Sequence, residues 1–328
     1  MVAHHIIFSL AMAFGLAALI VLLLGPAVIA WLRRLKAGQT IRTEGPASHL
    51  KKTGTPTMGG VLMLLGTSVA ALLFTPNVAV TAALLVVVVG FGLVGLVDDF
   101  LIVAYHRSLG LRARVKFFWQ VVLALALAVW LLNRPGEAFQ LLVPFSNATI
   151  TLPVWGFVPL AVFVIVGSSN AVNLTDGLDG LAAGTTAVAA LALAFILVWL
   201  GRADVAVLAT ALAGACLAFL WFNGYPAQVF MGDAGSLALG GALGSMAVVT
   251  GTELYLAIVG GVFVLETLSV MLQVFSFQRF HRRIFRMTPV HHHFELSGWP
   301  ETRVVARFWV MGLLFACLGL LALPGVLW

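Results

Sequence analysis

Asn173-Leu174-Thr175-Asp176-Gly177-Leu178-Asp179-Gly180 is the stretch on which the reading of this chain turns. It lies between two apolar runs, 153–172 and 181–200, each long enough to cross a bilayer as a helix. Carboxylates so close to hydrocarbon are costly, so Asp176 and Asp179 are expected to face water, a cation or a partner charge rather than lipid. If the segment is helical, the two acids share a face. Other acids repeat the pattern: Asp98-Asp99 end one apolar run, and Asp233 stands just before another. All of them are expected to meet in one polar site at one membrane surface.

Composition fixes the class. The chain has 328 residues, of which 62% are hydrophobic and 9% charged, with a mean hydropathy of +1.09. No soluble domain reads like that, and whole runs are apolar all round rather than one-sided. The expectation is an all-α polytopic membrane protein, a single domain over 1–328, with about ten spans at 6–31, 58–75, 79–97, 117–132, 154–172, 181–200, 204–222, 236–251, 254–278 and 304–327. Residues 140–143 and 148–152 flank Pro144-Phe145-Ser146-Asn147 and fit a small β-hairpin on the outer surface. Cys216 and Cys317 both sit inside apolar runs, in no metal-ligand spacing, and read as buried thiols. No internal repeat is visible, which removes one usual pointer to a secondary transporter.

Charge orients the chain. Of its 18 lysines and arginines, only Arg134 and Arg202 fall in one set of loops. The positive-inside rule makes the other set cytoplasmic. Asp98, Asp99, Asp176, Asp179, Asp233, His281 and the run His291-His292-His293 all fall on that same side. The first run carries Arg33, Arg34 and Lys36 after it, the reverse of a signal peptide, which predicts an N-terminus outside and, with an even number of spans, both termini periplasmic. The net charge of +6 reflects this asymmetry and is no sign of nucleic-acid binding.

Each motif has a bland reading beside the chemical one. Adjacent acids at a helix C-terminus repel each other and oppose the helix dipole, so Asp98-Asp99 call for a divalent cation or a nearby lysine unless they are simply solvated. Asp233, in Met231-Gly232-Asp233-Ala234-Gly235, combines a carboxylate, glycine-flanked amides and a helix N-terminus, which suits Mg²⁺ bridging to phosphate; as structure alone it is an acid near an N-cap. Three successive histidines rarely converge on one ion, so hydrogen bonding to phosphate fits them better than a transition metal. Lys51, Lys52 and Lys116 serve either phosphate or lipid headgroups. The ninth run holds Glu266, Gln273 and the pair Gly260-Gly261, which permits a bend; a plain tilted helix fits equally.

Taken in order, Lys51-Lys52-Thr53-Gly54-Thr55-Pro56-Thr57-Met58-Gly59-Gly60, Asp98-Asp99, Asn170-Ala171-Val172 running into the opening stretch, Phe222-Asn223-Gly224-Tyr225-Pro226-Ala227, Met231-Gly232-Asp233 and His291-His292-His293-Phe294-Glu295 closely resemble the phospho-N-acetylmuramoyl-pentapeptide transferases. These belong to the polyprenyl-phosphate N-acetylhexosamine-1-phosphate transferase superfamily. The resemblance implies transfer of phospho-MurNAc-pentapeptide from UDP-MurNAc-pentapeptide to undecaprenyl phosphate, giving lipid I and UMP with Mg²⁺. It also implies ten transmembrane helices in the bacterial cytoplasmic membrane, an active site facing the cytoplasm and a homodimer. By this resemblance Asp233 is the leading Mg²⁺ ligand, with Asp98 and Asp99 near the metal and the lipid phosphate. Asn173, Leu174, Asp176, Gly177, Leu178 and Asp179 match the uridine-diphosphate pocket, and Phe230 an aromatic stacked on uracil. Asn223, Lys116, His291, His292 and His293 are expected at the pyrophosphate and sugar, with Gln273 also among the substrate-binding residues. One departure stands out: the family's lysine three residues after the second Asp is Ile102 here, so Lys51, Lys52 or Lys116 must supply its charge. The rival readings are a sister transferase using UDP-GlcNAc and a transporter of a phosphorylated lipid. The first would take a different nucleotide sugar; the second would release no UMP and would carry its acids near mid-span.

Overall fold

The structure, a computed structural model, describes residues 2–35, 52, 54–105, 110–134 and 139–325. In chain order the elements are α1 (Val2–Arg34), α2 (Gly60–Phe74), α3 (Val78–Tyr105), α4 (Ala113–Leu132), β1 (Gln140–Leu142), β2 (Thr149–Thr151), α5 (Val154–Thr175), α6 (Leu181–Trp199), α7 (Ala203–Asn223), α8 (Gly232–Thr250), α9 (Glu253–Val259), α10 (Gly261–Phe280), α11 (Val290–Leu296) and α12 (Glu301–Leu321). Nine of the described helices are long and apolar enough to cross a membrane, and α2 is a shorter apolar helix. The protein is an all-α, multi-pass membrane protein. Its one described sheet is the antiparallel hairpin, with Leu141 opposite Ile150, as the sequence predicts.

Three local expectations are corrected, and one open choice, the bend at Gly260-Gly261, is decided. Asp98 and Asp99 do not end α3, because apolar Phe100 to Val103 carry the helix on to Tyr105. Asp176 and Asp179 do not share a helix face: α5 stops at Thr175, and Gly180, at φ +79°, opens α6 from a left-handed turn that favours glycine. The ninth run is broken at Gly260 into α9 and α10. A side chain at Gly261 would lie 2.6 Å from the Phe315 ring of α12, so the glycine at the break lets that ring pack against the backbone. Cys216 is buried as expected, but Cys317 is exposed on α12.

Burial then sorts the helices. In α8, 89% of the most apolar stretch is enclosed by protein, against 17% in α1, so α8 is a central helix and α1 a peripheral one. Its composition explains the placement, since Gly, Ala and Ser permit backbones to approach closely inside a membrane. A Cβ at Gly240 would lie 2.3 Å from the Ser168 carbonyl of α5, and Ser169 Oγ donates to the Leu237 carbonyl at 2.9 Å. The other flank of α8 packs on α3. The first turn of α8 is thereby held between the acid-bearing part of α3 and the end of α5, which brings three distant sequence motifs together.

Candidate active site

The first turn of α8 sets the site. Gly232 has φ +70°, and a Cβ there would lie 2.3 Å from Asp99 Oδ2. Only glycine combines that conformation with so close a carboxylate. Asp99, 5% exposed, uses both oxygens on α8: Oδ1 accepts the Asp233 N–H at 3.1 Å and Oδ2 the Ala234 N–H at 3.0 Å. A carboxylate at the positive end of a helix is favourable, which offsets part of the repulsion expected of two neighbouring acids. Two more contacts wedge the turn in place. A Cβ at Gly60 would sit 2.2 Å from Gly235, and one at Gly95 2.1 Å from the Asp233 carbonyl. The Thr55-Pro56-Thr57-Met58-Gly59-Gly60 motif also clasps this turn through its backbone, with Phe230 N–H donating to the Pro56 carbonyl at 2.8 Å and Gly59 N–H to the Phe230 carbonyl at 2.9 Å.

Asp233 thus has a fixed backbone and a partly open side chain. Its Oδ1 accepts from Asn173 Nδ2 at 2.8 Å, and its Oδ2 accepts from Lys116 Nζ. Lys116 also lies 3.3 Å from Asp98 Oδ1, which accepts the Leu111 N–H at 2.8 Å. One ammonium therefore bridges two carboxylates from separate motifs. Asn173 Nδ2 is shared with Ser236 Oγ at 2.8 Å. Asp98 Oδ2 has no hydrogen-bond partner among the described residues. No three His, Cys, Asp or Glu side chains converge into a ready-made metal cage among the described residues.

The turn after α5 separates two acids with different duties. Asp179 is consumed: Oδ1 accepts from Lys52 at 2.7 Å, Oδ2 from the Ala227 N–H at 3.0 Å, and its own N–H donates to Glu301 at 2.8 Å. Lys52 also donates to Glu301 at 2.6 Å. Burial by itself would lower the Lys52 pKa, but bonding to Asp179 and Glu301 outweighs it and holds the value above the ordinary 10.5. Gly180 N–H donates to Asn223 Oδ1 at 3.0 Å, and Trp309 Nε1 donates to the Gly180 carbonyl at 3.2 Å. Asp176, by contrast, receives no hydrogen bond at its carboxylate among the described residues. Desolvation first, then the charges of Asp233, Asp99 and Asp179, raise its pKa well above the usual carboxylate value.

The remaining candidates divide. The Leu178 side chain points into an apolar cluster with Leu181, Val304 and Phe308 rather than into the polar site. Leu174 and Phe230 are half-buried, one in the last turn of α5 and the other on the approach to α8. The three histidines diverge: His291 Nδ1 is 3.1 Å from Glu266, His292 Nδ1 is 2.8 Å from Glu295, and His293 Nδ1 accepts the Arg286 N–H at 3.2 Å. Gln273 braces the segment before α11, accepting from the Ile284 and Phe285 amides at 2.9 and 3.0 Å and donating to the Phe285 carbonyl at 3.0 Å. Lys51 lies outside the described residues. Sequence reasoning missed Ser236, Glu301 and Trp309. Glu301 had a signal, being an acid at the start of the last apolar run, as Asp233 is for an earlier one.

Comparison with known proteins agrees with this geometry. The sequence profile described as Glycosyl transferase family 4 matches residues 81–251, which hold Asp98, Asp99, Lys116, Asn173, Asp176, Asp179 and Asp233. The phospho-N-acetylmuramoyl-pentapeptide-transferase of Desulforamulus reducens is 51% identical over 315 residues, covering 94% of this chain and 94% of that protein. The proteins of the same name from Desulforudis audaxviator and Moorella thermoacetica are 52% and 53% identical, covering 96% and 93% of this chain and 98% and 96% of their own. With that identity along nearly its full length, the chain belongs to the phospho-N-acetylmuramoyl-pentapeptide-transferase family.

Proposed function

We propose that this protein transfers phospho-MurNAc-pentapeptide from its uridine nucleotide to undecaprenyl phosphate, forming lipid I and UMP on the cytoplasmic face of the bacterial inner membrane, with both termini periplasmic. The observation that carries the reading is the Lys116 ammonium set between Asp98 and Asp233, beside a turn whose Asp176 carboxylate has no hydrogen-bond partner among the described residues. Two polyanions must meet for this reaction, and such a site supplies fixed positive charge where they meet.

The donor set fits a hard divalent cation. Asp98 Oδ2 has no hydrogen-bond partner among the described residues, Asp233 is partly open, and Mg²⁺ is ordinarily held by one or two carboxylates together with water and substrate phosphates. Asp233 and Asp98 would hold it, while Asp99 fixes the α8 turn from behind. Bound there, Mg²⁺ would neutralise charge on the pyrophosphate. An oxygen of the lipid phosphate attacks the sugar-bound phosphorus, the anhydride P–O bond breaks, and the electron pair leaves with UMP. A phosphate monoester has a second pKa near ~6 and is mostly ionised at cytoplasmic pH, so no strong general base is needed. Lys116 orients the reacting phosphates. Asp176 and the neighbouring backbone receive the uridine, with Phe230 placed to stack on the base. A homodimer is part of the proposal and is checked by the mass of the solubilised protein.

The test is UMP release by purified protein. It should require Mg²⁺, undecaprenyl phosphate and UDP-MurNAc-pentapeptide together, and should fail with UDP-GlcNAc. Turnover of UDP-GlcNAc alone would assign the sister reaction, and lipid movement without UMP would assign a transporter.

A further inference from the structure

Glu266 and His291 form a pair that the reaction above does not use. Glu266 lies within the apolar α10 and His291 in the first turn of α11, and both are 0% exposed. His291 Nδ1 and Glu266 Oε1 are 3.1 Å apart, and no lysine or arginine among the described residues bonds to this carboxylate. Glu266 Oε2 and His291 Nε2 are both buried without a hydrogen-bond partner among the described residues. A carboxylate placed so deep needs a reason, since burying a charge costs several kcal/mol unless it is compensated.

A second observation gives the pair a direction. The Nε2 edge of His291 abuts the backbone of Gly177, in the turn between Asp176 and Asp179; a Cβ on Gly177 would lie 2.3 Å from Nε2 and 2.9 Å from Cε1. Position 177 therefore admits no side chain while the ring keeps its place. The hydrogen bond at Nδ1 fixes the plane of the ring and so holds its Nε2 edge against that turn. His292, whose ring centroid is 4.1 Å from that of His291, is itself turned to Glu295, so it does not replace Glu266 as the partner.

We propose that Glu266 is a positioning residue for the transfer. It fixes the His291 ring, whose Nε2 edge bears on Gly177 and sets the height of the turn that receives the nucleotide. His291 acts from behind that turn and does not touch substrate. The inference rests on the proposed function, because it takes the 176–179 turn as the uridine-nucleotide seat.

The experiment uses the full chain in lipid nanodiscs with Glu266→Ala, Glu266→Gln and Gly177→Ala. Glu266→Ala is expected to raise the Kd of UMP and the KM of the nucleotide substrate about tenfold, while the KM of polyprenyl phosphate stays within about twofold. Gly177→Ala, which displaces the ring from the other side, should give the same split. Glu266→Gln keeps a hydrogen bond to Nδ1 through its amide, so it should recover most of the nucleotide affinity. Equal shifts in both KM values, or no shift in the nucleotide KM, would overturn the inference. If Glu266→Ala does not accumulate as folded protein, an unchanged nucleotide KM in Gly177→Ala overturns it alone. Failure of the wild-type protein to bind UMP or release it would instead overturn the functional reading.

Discussion

The two ends of the helix bundle join the same helices with different chemistry. Where α6 and α8 begin, Lys52, Lys116, Asp98, Asp99, Asp179, Asp233 and Glu301 form buried or half-buried ion pairs and charged hydrogen bonds. Where the same helices end, backbone groups do most of the joining: Leu142 N–H donates to the Gly251 carbonyl at 2.9 Å, Phe145 N–H to the Ala322 carbonyl at 2.9 Å, and Tyr255 Oη to that same carbonyl at 2.9 Å. One half-buried pair, Arg202 with Asp204 at 3.2 Å, and the buried Glu253 are the charges of note there. Neutral bonds therefore do most of the closing at that end. Buried charges are a poor way to gain stability, so their concentration at one end marks chemistry rather than architecture.

The sharpest way to break that contrast is Asp233→Asn. Its backbone bonds remain, so folding should persist while turnover falls by a factor on the order of 10³ and the response to Mg²⁺ weakens, as UMP release against Mg²⁺ concentration will show. Wild-type activity with unchanged Mg²⁺ dependence would refute the role. Next comes Lys52→Met, which leaves Asp179 and Glu301 facing each other without a cation. A loss of about 3 kcal/mol is expected in equilibrium unfolding, and less for Glu301→Gln. The sign with pH follows from the raised Lys52 value: its stabilisation is complete below 10.5 and fades only as pH climbs through the higher folded value. If the two variants behave alike, the pair is not the clamp described.

Asp176 and Asp179 repeat the contrast within one turn. Because its folded pKa is raised, Asp176 favours the folded state fully only below 3.8, and that advantage is lost as pH rises through the folded value. In metal-free protein Asp176→Asn should therefore raise the Tm at neutral pH while weakening UMP binding about tenfold. A lower Tm would show the carboxylate to be a structural anchor like Asp179. The smallest effect belongs to the far end: Arg202→Ala should cost under about 1 kcal/mol and leave kcat unchanged. A drop in turnover there would mean the two ends are coupled.

How much of this was legible in the sequence depends on whether apolar periodicity or covalent geometry carried the information. The spans, the hairpin and the convergence of Asp98, Asp176 and Asp233 followed from runs of hydrophobic residues with acids at their edges. The helical extension past Asp99 did not, because a hydropathy reading stops at the first charge whereas helix hydrogen bonding does not. The duties of individual acids were hidden too. Asp98 and Asp99 are adjacent and chemically identical, yet one bonds to Lys116 and the other to two amides of α8, a distinction that arises only once α8 lies against α3. Glu301 was passed over because a lone acid at a span edge reads as solvated until Lys52 is placed beside it.

The glycine wedge at Gly60 and Gly95 has a further consequence. Since main chain rests directly on main chain there, the spacing of the reactive carboxylate is dimensioned by bond lengths rather than by rotamers. Heating that sets surrounding side chains in motion should blur the lipid-facing rim of the molecule well before it loosens this joint, and drift in sequence has almost no room to retune it by small steps.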